Sequence, residues 1–223
     1  FEITQDFIEG LKQCKLSTPK NDLRPQQYGI AVVDNILYST NNISISRYET
    51  GIDNSISFLL PPLFYEQIIK LYNTNVTLYM DKDILEVDFD GIRLYTKIDT
   101  SLVLLDYASV VQKFEDDTIL VTIPVEFKEA VARIKSINTG TNRIHLDISD
   151  TDIEVSATSA LCNVKEVIDI ENLTNPISCD YDIEKFANGL KVIDEFKFTE
   201  DGKAVIMYGK SGVFTHILTS IIR

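Results

Sequence analysis

Two histidines, three cysteines and a short run of aspartates are the residues of this chain whose types could do chemistry. An imidazole can pass a proton or hold a metal near neutral pH. Here His145 and His216 each lie inside a strand pattern, with no nucleophile, carboxylate or second ligand at a fixed spacing. Asp147, Asp150 and Asp152 superficially resemble a cation-binding loop, but the glycine and the terminal glutamate of a calcium loop are missing. A hairpin turn accounts for them. Cys14, Cys162 and Cys179 stand singly in apolar surroundings, as reduced thiols packed like small hydrophobes do. There is no phosphate-binding glycine loop, no dinucleotide fingerprint, no nucleophile elbow and no zinc-type Cys/His spacing. The expectation is therefore a protein that is not an enzyme, with no catalytic residue, cofactor or metal.

The elements that would position functional residues are laid out twice. Ile3–Lys15 and Ile123–Lys135 align at a constant offset of 120, matching Ile3 with Ile123, Phe7 with Phe127, Glu9 with Glu129, Leu11 with Val131 and Lys15 with Lys135. In both, apolar residues recur at the spacing of one helical face: Phe7, Ile8, Leu11 and Cys14 in the first, Phe127, Ala130, Val131 and Ile134 in the second. Two further helices are expected over 61–73, opened by Pro61-Pro62, and over 181–192. Short β-rich runs separated by Asn, Asp and Gly turns fill the rest. The second helix and closing strand register at an offset of 119, Phe64 with Ile183 and Ile98 with Ile217. Each half then reads β-α-β-β-β-α-β-β-β, an α+β class with the helices over one side of the sheets. The acidic Glu115-Asp116-Asp117 reads as a linker, giving domains over 1–114 and 118–223.

A net charge of −13 on 223 residues argues at first sight against nucleic acid, which is bound through Lys and Arg. Its distribution changes that reading. The four expected helices carry eight basic against seven acidic residues, leaving 13 basic and 27 acidic residues elsewhere. The acidity lies outside the helices. No apolar run approaches the ~20 residues of a membrane helix and no secretory signal opens the chain, so a cytoplasmic protein without membrane contact is expected.

Several stretches together resemble the DNA sliding clamps, specifically the second and third domains of the bacterial DNA polymerase III beta subunit. They are the loop and strand Leu23-Arg24-Pro25-Gln26-Gln27-Tyr28-Gly29-Ile30, the turn Ser39-Thr40-Asn41-Asn42 with Ile43-Ser44-Ile45, and the proline-led Leu60-Pro61-Pro62-Leu63. The others are Leu105-Asp106-Tyr107-Ala108-Ser109-Val110, the Phe-x-x-Ala-x-x-Arg helix Phe127–Arg133, and the closing His216-Ile217-Leu218-Thr219. The likeness covers essentially the whole chain. It departs where the family has Gly-His-Arg, here Asn42-Ile43-Ser44, where Leu105 replaces a proline, and where Thr219-Ser220 replaces a terminal Met-Pro.

The resemblance implies a DNA-clamp fold whose helices line a ring around double-stranded DNA, held without regard to sequence, with the sheets outside. Lys12, Lys15, Lys20, Arg24, Lys70, Lys128, Arg133, Lys135, Lys185 and Lys191 would face the duplex. Gln27, Thr40, Asn42, Ile45, Leu105, Val110, Ile217, Leu218 and Thr219 would form a pocket for a short hydrophobic peptide of a replicative DNA polymerase or clamp loader. A charge in place of Leu218 should then abolish polymerase binding and leave the fold recognisable. The departures fall in this pocket, so its location carries over and its specificity does not. With six domains to a ring, two-domain chains form trimers and three-domain chains dimers; the reading favours a compact two-domain clamp of viral type over one lacking a leading domain. The alternative is a clamp-fold interaction scaffold that does not encircle DNA.

Overall fold

The computed structural model describes all residues except 20–23, 53–55, 73–75, 90, 117, 122–123, 138–140, 160–161, 171–175, 210–211 and 222–223. The chain divides into two compact units, Phe1–Tyr107 and Ala108–Arg223.

In the first unit, β1 (Glu2–Ile3) leads into α1 (Gln5–Cys14), followed by β2 (Ile30–Val33), β3 (Ile36–Thr40), β4 (Ser44–Glu49) and β5 (Phe58–Leu60). Then come α2 (Pro62–Leu71), β6 (Val76–Asp81), β7 (Ile84–Phe89) and β8 (Ile92–Lys97). α1 starts where the Thr4 hydroxyl accepts a hydrogen bond from the Phe7 amide at 3.2 Å, with Asp6 beside the positive end of the helix dipole. α2 starts at prolines, whose missing N–H costs nothing in a first turn. Asp34, Asn42 and Lys82 take positive φ angles of 53°, 72° and 54° in the tight connections β2–β3, β3–β4 and β6–β7. Gly29 is required: at φ 156° an added Cβ would lie 2.2 Å from the Leu60 carbonyl oxygen. Gly10, inside α1, lets the helix approach the sheet, since a Cβ there would sit 2.6 Å from the Tyr48 ring.

In the second unit, α3 (Tyr107–Glu115, beginning at the last residue of the first unit) precedes β9 (Thr118–Val121) and α4 (Val125–Ile137). β10 (Arg143–Ile148), β11 (Asp152–Thr158), β12 (Asn163–Asp169), β13 (Ile177–Asp182), α5 (Ile183–Leu190), β14 (Glu195–Thr199), β15 (Ala204–Tyr208) and β16 (Phe214–Thr219) follow. The strand orders repeat: β1-β6-β7-β8 and β5-β2-β3-β4 in the first unit match β9-β14-β15-β16 and β13-β10-β11-β12 in the second. The described pairings are antiparallel.

Three expectations are corrected. Four strands, not three, separate the helices of each unit, because the short β5 and β13 pair with β2 and β10. A helix the sequence reading left out, α3, runs up to Glu115, the first residue of the stretch read as a linker, and its Tyr107 and Val111 share a buried face one turn apart. The last helix begins at Ile183, because Tyr181 and Asp182 belong to β13 and the Asp182 carboxylate caps the Lys185 amide at 3.0 Å. Asp90, Asp117 and Ile123, used in the expected turn, linker and repeat, lie outside the described residues.

Each core lies between helices and sheet. Phe7, Ile8, Leu11 and Cys14 are buried against β3 and β4. In the second unit Phe127, Phe186, Phe196 and Phe198 form an aromatic cluster with centroid separations of 5.0 to 6.1 Å. Burial pushes the Cys179 thiol up to about 12 and Cys14 higher still, so both stay protonated and inert. No helix among the described residues is long and apolar enough to cross a membrane.

Candidate functional site

Of the expected DNA-facing cations, Lys12, Lys15, Lys70, Lys128, Arg133, Lys135, Lys185 and Lys191 sit on or beside α1, α2, α4 and α5, the two helix pairs that pack together within their units. Four of them, Lys12, Lys15, Arg133 and Lys135, are paired with carboxylates. Lys15 bridges to Glu66 of α2 at 2.7 Å, and Lys135 bridges to Glu184 of α5 at 2.6 Å, so the packed pairs α1–α2 and α4–α5 are tied by the same kind of ion pair. Lys12 lies 3.8 Å from Glu9. Arg133 holds Glu166 of β12 with two hydrogen bonds, at 3.0 and 2.7 Å, and also lies 3.5 Å from Glu129. Those hydrogen bonds hold the Glu166 carboxyl below its ordinary range. The Lys128 ammonium donates to the Ile193 carbonyl, and Lys191 donates to the Asn188 amide oxygen at 3.2 Å. Lys185 stands in the first turn of α5 near the buried His216. Lys70 is exposed, with no carboxylate partner among the described residues. Lys20 lies outside them.

The expected pocket residues divide between the units. In the first, Gln27 is buried at the end of the 3-10 turn Pro25–Gln27. Its amide donates to the Asn42 side-chain oxygen at 3.0 Å, and Arg24 donates to the same oxygen at 2.9 Å. Asn41 closes this turn by accepting from the Ser44 amide and hydroxyl, both at 3.0 Å, while the Thr40 hydroxyl donates to the Ser44 carbonyl at 2.9 Å. Ile45, opposite Thr40 in the β3–β4 register, is buried. Leu105 is half-buried and joins the group through Tyr107, whose amide donates to the Leu105 carbonyl at 2.9 Å and whose hydroxyl donates to the Gln26 carbonyl at 3.1 Å. The Tyr107 ring stacks on Tyr38 at 5.1 Å, and burial pushes its phenol up to about 12. Arg24, expected among the DNA-facing cations, thus belongs geometrically with Gln27 and Asn42.

In the second unit, Val110 is 40% exposed on α3 and Thr219 is half-buried. Ile217 and Leu218 are 1% and 0% exposed within β16. A charge at Leu218 would therefore attack the core. The expectation that such a change spares the fold is corrected.

Sequence reasoning missed the partners of His145. Its Nδ1 lies 2.7 Å from Asp180 Oδ1 and its Nε2 lies 3.0 Å from Asp147 Oδ2. Asp147 could have been found as the residue two ahead on the same strand face; Asp180 needs the β10–β13 register, which places it directly opposite. Asp150 and Asp152 belong to the β10–β11 hairpin, closed by the Ser149 hydroxyl accepting from the Thr151 and Asp152 amides.

No protein-family model and no curated protein sequence matches the chain. Solved structures do. A DNA polymerase sliding clamp from Caulobacter crescentus superposes with a TM-score of 0.85 at 12% identity, over 98% of this chain and 64% of that one. The chain has the sliding-clamp fold. The DNA polymerase III beta subunit of Thermotoga maritima gives a TM-score of 0.84 at 15% identity, over 100% of this chain and 65% of that one. A Helicobacter pylori beta clamp, bound to a DNA ligase peptide, gives 0.81 at 15% identity, over 100% and 65%. This chain spans between 63 and 66% of the length of the clamps it matches. The repeated strand order in its two units is therefore the repeated order of a clamp.

Proposed function

We propose that this chain is a sliding clamp: a processivity factor that assembles into a homo-oligomeric ring around duplex DNA and tethers a replicative DNA polymerase. The observation that carries this is likeness to bacterial beta clamps along essentially the whole chain, with TM-scores of 0.81 to 0.85. It acts in the cytoplasm and by topology, without a reaction of its own. A clamp loader places it on DNA. Thr40, Asn42, Leu105, Val110 and Thr219 take a short hydrophobic partner peptide, with Gln27, Ile45, Ile217 and Leu218 as buried support.

Exposed edge strands support ring assembly. β8 and β12 each end a strand order, with Ile92 58% and Tyr95 68% exposed on the first and Val167 55% exposed on the second. Such edges pair with another copy or aggregate unless something manages them. A six-unit ring needs three copies of this chain, or two of a chain carrying one more unit. Lys70, Lys128 and Lys191, which hold no carboxylate among the described residues, leave the few weak phosphate contacts that suit sliding, since each strong contact would slow the ring.

The test measures absolute mass by light scattering, then retention on nicked circular plasmid before and after linearisation. A ring gives a closed oligomer that loader-assisted loading traps on the circle and that the linear form releases. Equal retention on both forms sinks encirclement. The ion pairing of Lys12, Lys15, Arg133 and Lys135 favours the second reading, a clamp-fold scaffold, and that reading predicts no retention on either form.

A further inference from the structure

Strands β6, β7 and β8 alternate as a sheet with one buried face does. Leu78, Leu85 and Val87 are buried in the core, while Tyr79, Glu86 and Tyr95 lie on the opposite face. The register sets these three in one row, Tyr79 opposite Glu86 and Glu86 opposite Tyr95. Both tyrosines are more than half exposed, and every residue of the row and its neighbours along the three strands is described. The matching strands of the second unit have no such face. Val205, Ile206 and Met207 of β15 and Ile217 and Leu218 of β16 are buried in succession, so both sides of those strands are covered. One exposed tyrosine is ordinary. Two in register, held apart by a carboxylate, form a pair of platforms at a fixed spacing.

Adjacent strands lie about 4.8 Å apart, so β6 and β8 hold the two platforms about 9.6 Å apart. A polyproline II helix rises about 3.1 Å per residue with three residues per turn, and so repeats every ~9.3 Å. A segment laid across the strands would set prolines i and i+3 on Tyr79 and Tyr95. Glu86 between them interrupts the continuous apolar groove that an amphipathic helix would need, and suits a basic residue between the prolines. Its present cation, Arg93 at 3.5 Å, is exposed and shared with Asp88, a weak competitor.

From this row we infer that the outer face of β6–β8 docks proline-rich segments of a partner protein, with prolines three residues apart on Tyr79 and Tyr95 and a basic residue against Glu86. Such segments are already extended before they bind, so they lose little entropy on docking. The inference goes beyond the clamp reading and does not rest on it. A strand pairing along β8 would use that strand's backbone and leave these side chains facing outward.

The test titrates the chain into a fluorescein-labelled peptide of three Pro-Pro-Arg repeats and reads anisotropy. Salt at about 0.15 M screens the general attraction of a cationic peptide to an acidic protein. Wild type should bind this peptide about tenfold more tightly than an Ala-Ala-Arg repeat of equal charge. Tyr79→Ala and Tyr95→Ala should each weaken binding about tenfold, as loss of one stacked ring predicts, and Tyr79→Phe, which keeps the ring, should bind as wild type does. Glutamine in place of the peptide's arginines should weaken binding to wild type about threefold and make no difference to Glu86→Gln. Thermal melts matching wild type establish that the variants are folded, and the peptide comparison on wild type needs no variant. Equal binding of the Ala-Ala-Arg repeat would reduce the attraction to charge and overturn the inference. No binding by wild type, or undiminished binding by both folded alanine variants, would overturn it as well.

Discussion

The two units share a strand order and differ in how they fill it. The first buries Phe7 and Tyr65 completely, while its other core aromatics, Tyr38, Tyr48, Phe58, Phe64, Phe89 and Tyr107, keep a few per cent of their surface exposed. The second buries Phe127, Phe186, Phe196, Phe198, Phe214 and Tyr181 as completely as the first buries Phe7 and holds both histidines of the chain. Where α1 has Gly10 against the sheet, the matching position of α4 is Ala130, also fully buried. The ion pairs behave in the opposite way: Lys15–Glu66 and Lys135–Glu184 recur almost in register. The lesson is that pattern and packed volume preserve a topology, and a core tolerates wide exchange of hydrophobic residues when both are kept.

The sharpest way to break the comparison is Leu218→Asp. The side chain is fully buried in β16, so a carboxylate there should cost about 4 kcal/mol or more, counting both the lost apolar burial and the buried charge. Urea denaturation followed by hydrogen exchange should show the second unit unfolding while amides of the first stay protected; uniform loss of protection would mean the units are not separately stable.

Acid should separate the units by a smaller margin. Burial, with Lys185 nearby, pulls His216 down to about 4. Once unfolded, its imidazole takes up a proton below about 6.5, whereas the folded one resists until about 4. Stability from this group is therefore complete above about pH 6.5 and is lost as pH falls toward 4, by about 3 kcal/mol. The loss should appear in the second unit and shrink in His216→Leu, as read by urea midpoints between pH 7 and 4.5. The first unit contains no histidine and should show no such component.

Helix caps offer a finer comparison. Thr4 caps α1 and Asp182 caps α5, so Thr4→Ala and Asp182→Ala should each cost about 1 kcal/mol. The aspartate variant should lose slightly more, since its charge also meets the helix dipole. Equal melting shifts would remove the dipole contribution from the account. The smallest effect belongs to the duplicated ion pairs. Lys15→Ala and Lys135→Ala should each change stability by less than about 1 kcal/mol, and less still at high salt, because both pairs are solvent-screened. A larger loss at either would assign that pair a structural role.

The sequence by itself determined the duplication, the four main helices and the clamp resemblance. These rest on local periodicity, proline starts and turn residues, which act between near neighbours in the chain. α3 stayed illegible because its nine residues end in charge and its buried face shows only as Tyr107 and Val111. β5 and β13 were left out of the expected strand order, since their pairing with β2 and β10 joins segments far apart in sequence. The site divided along the same line. Individual residues such as Gln27 and Asn42 could be named from their place in a motif. That Arg24 joins them, that Leu218 is buried core and that Asp180 faces His145 were decided only by tertiary structure. Each depends on side chains brought together across loops and strand registers, which no local pattern encodes.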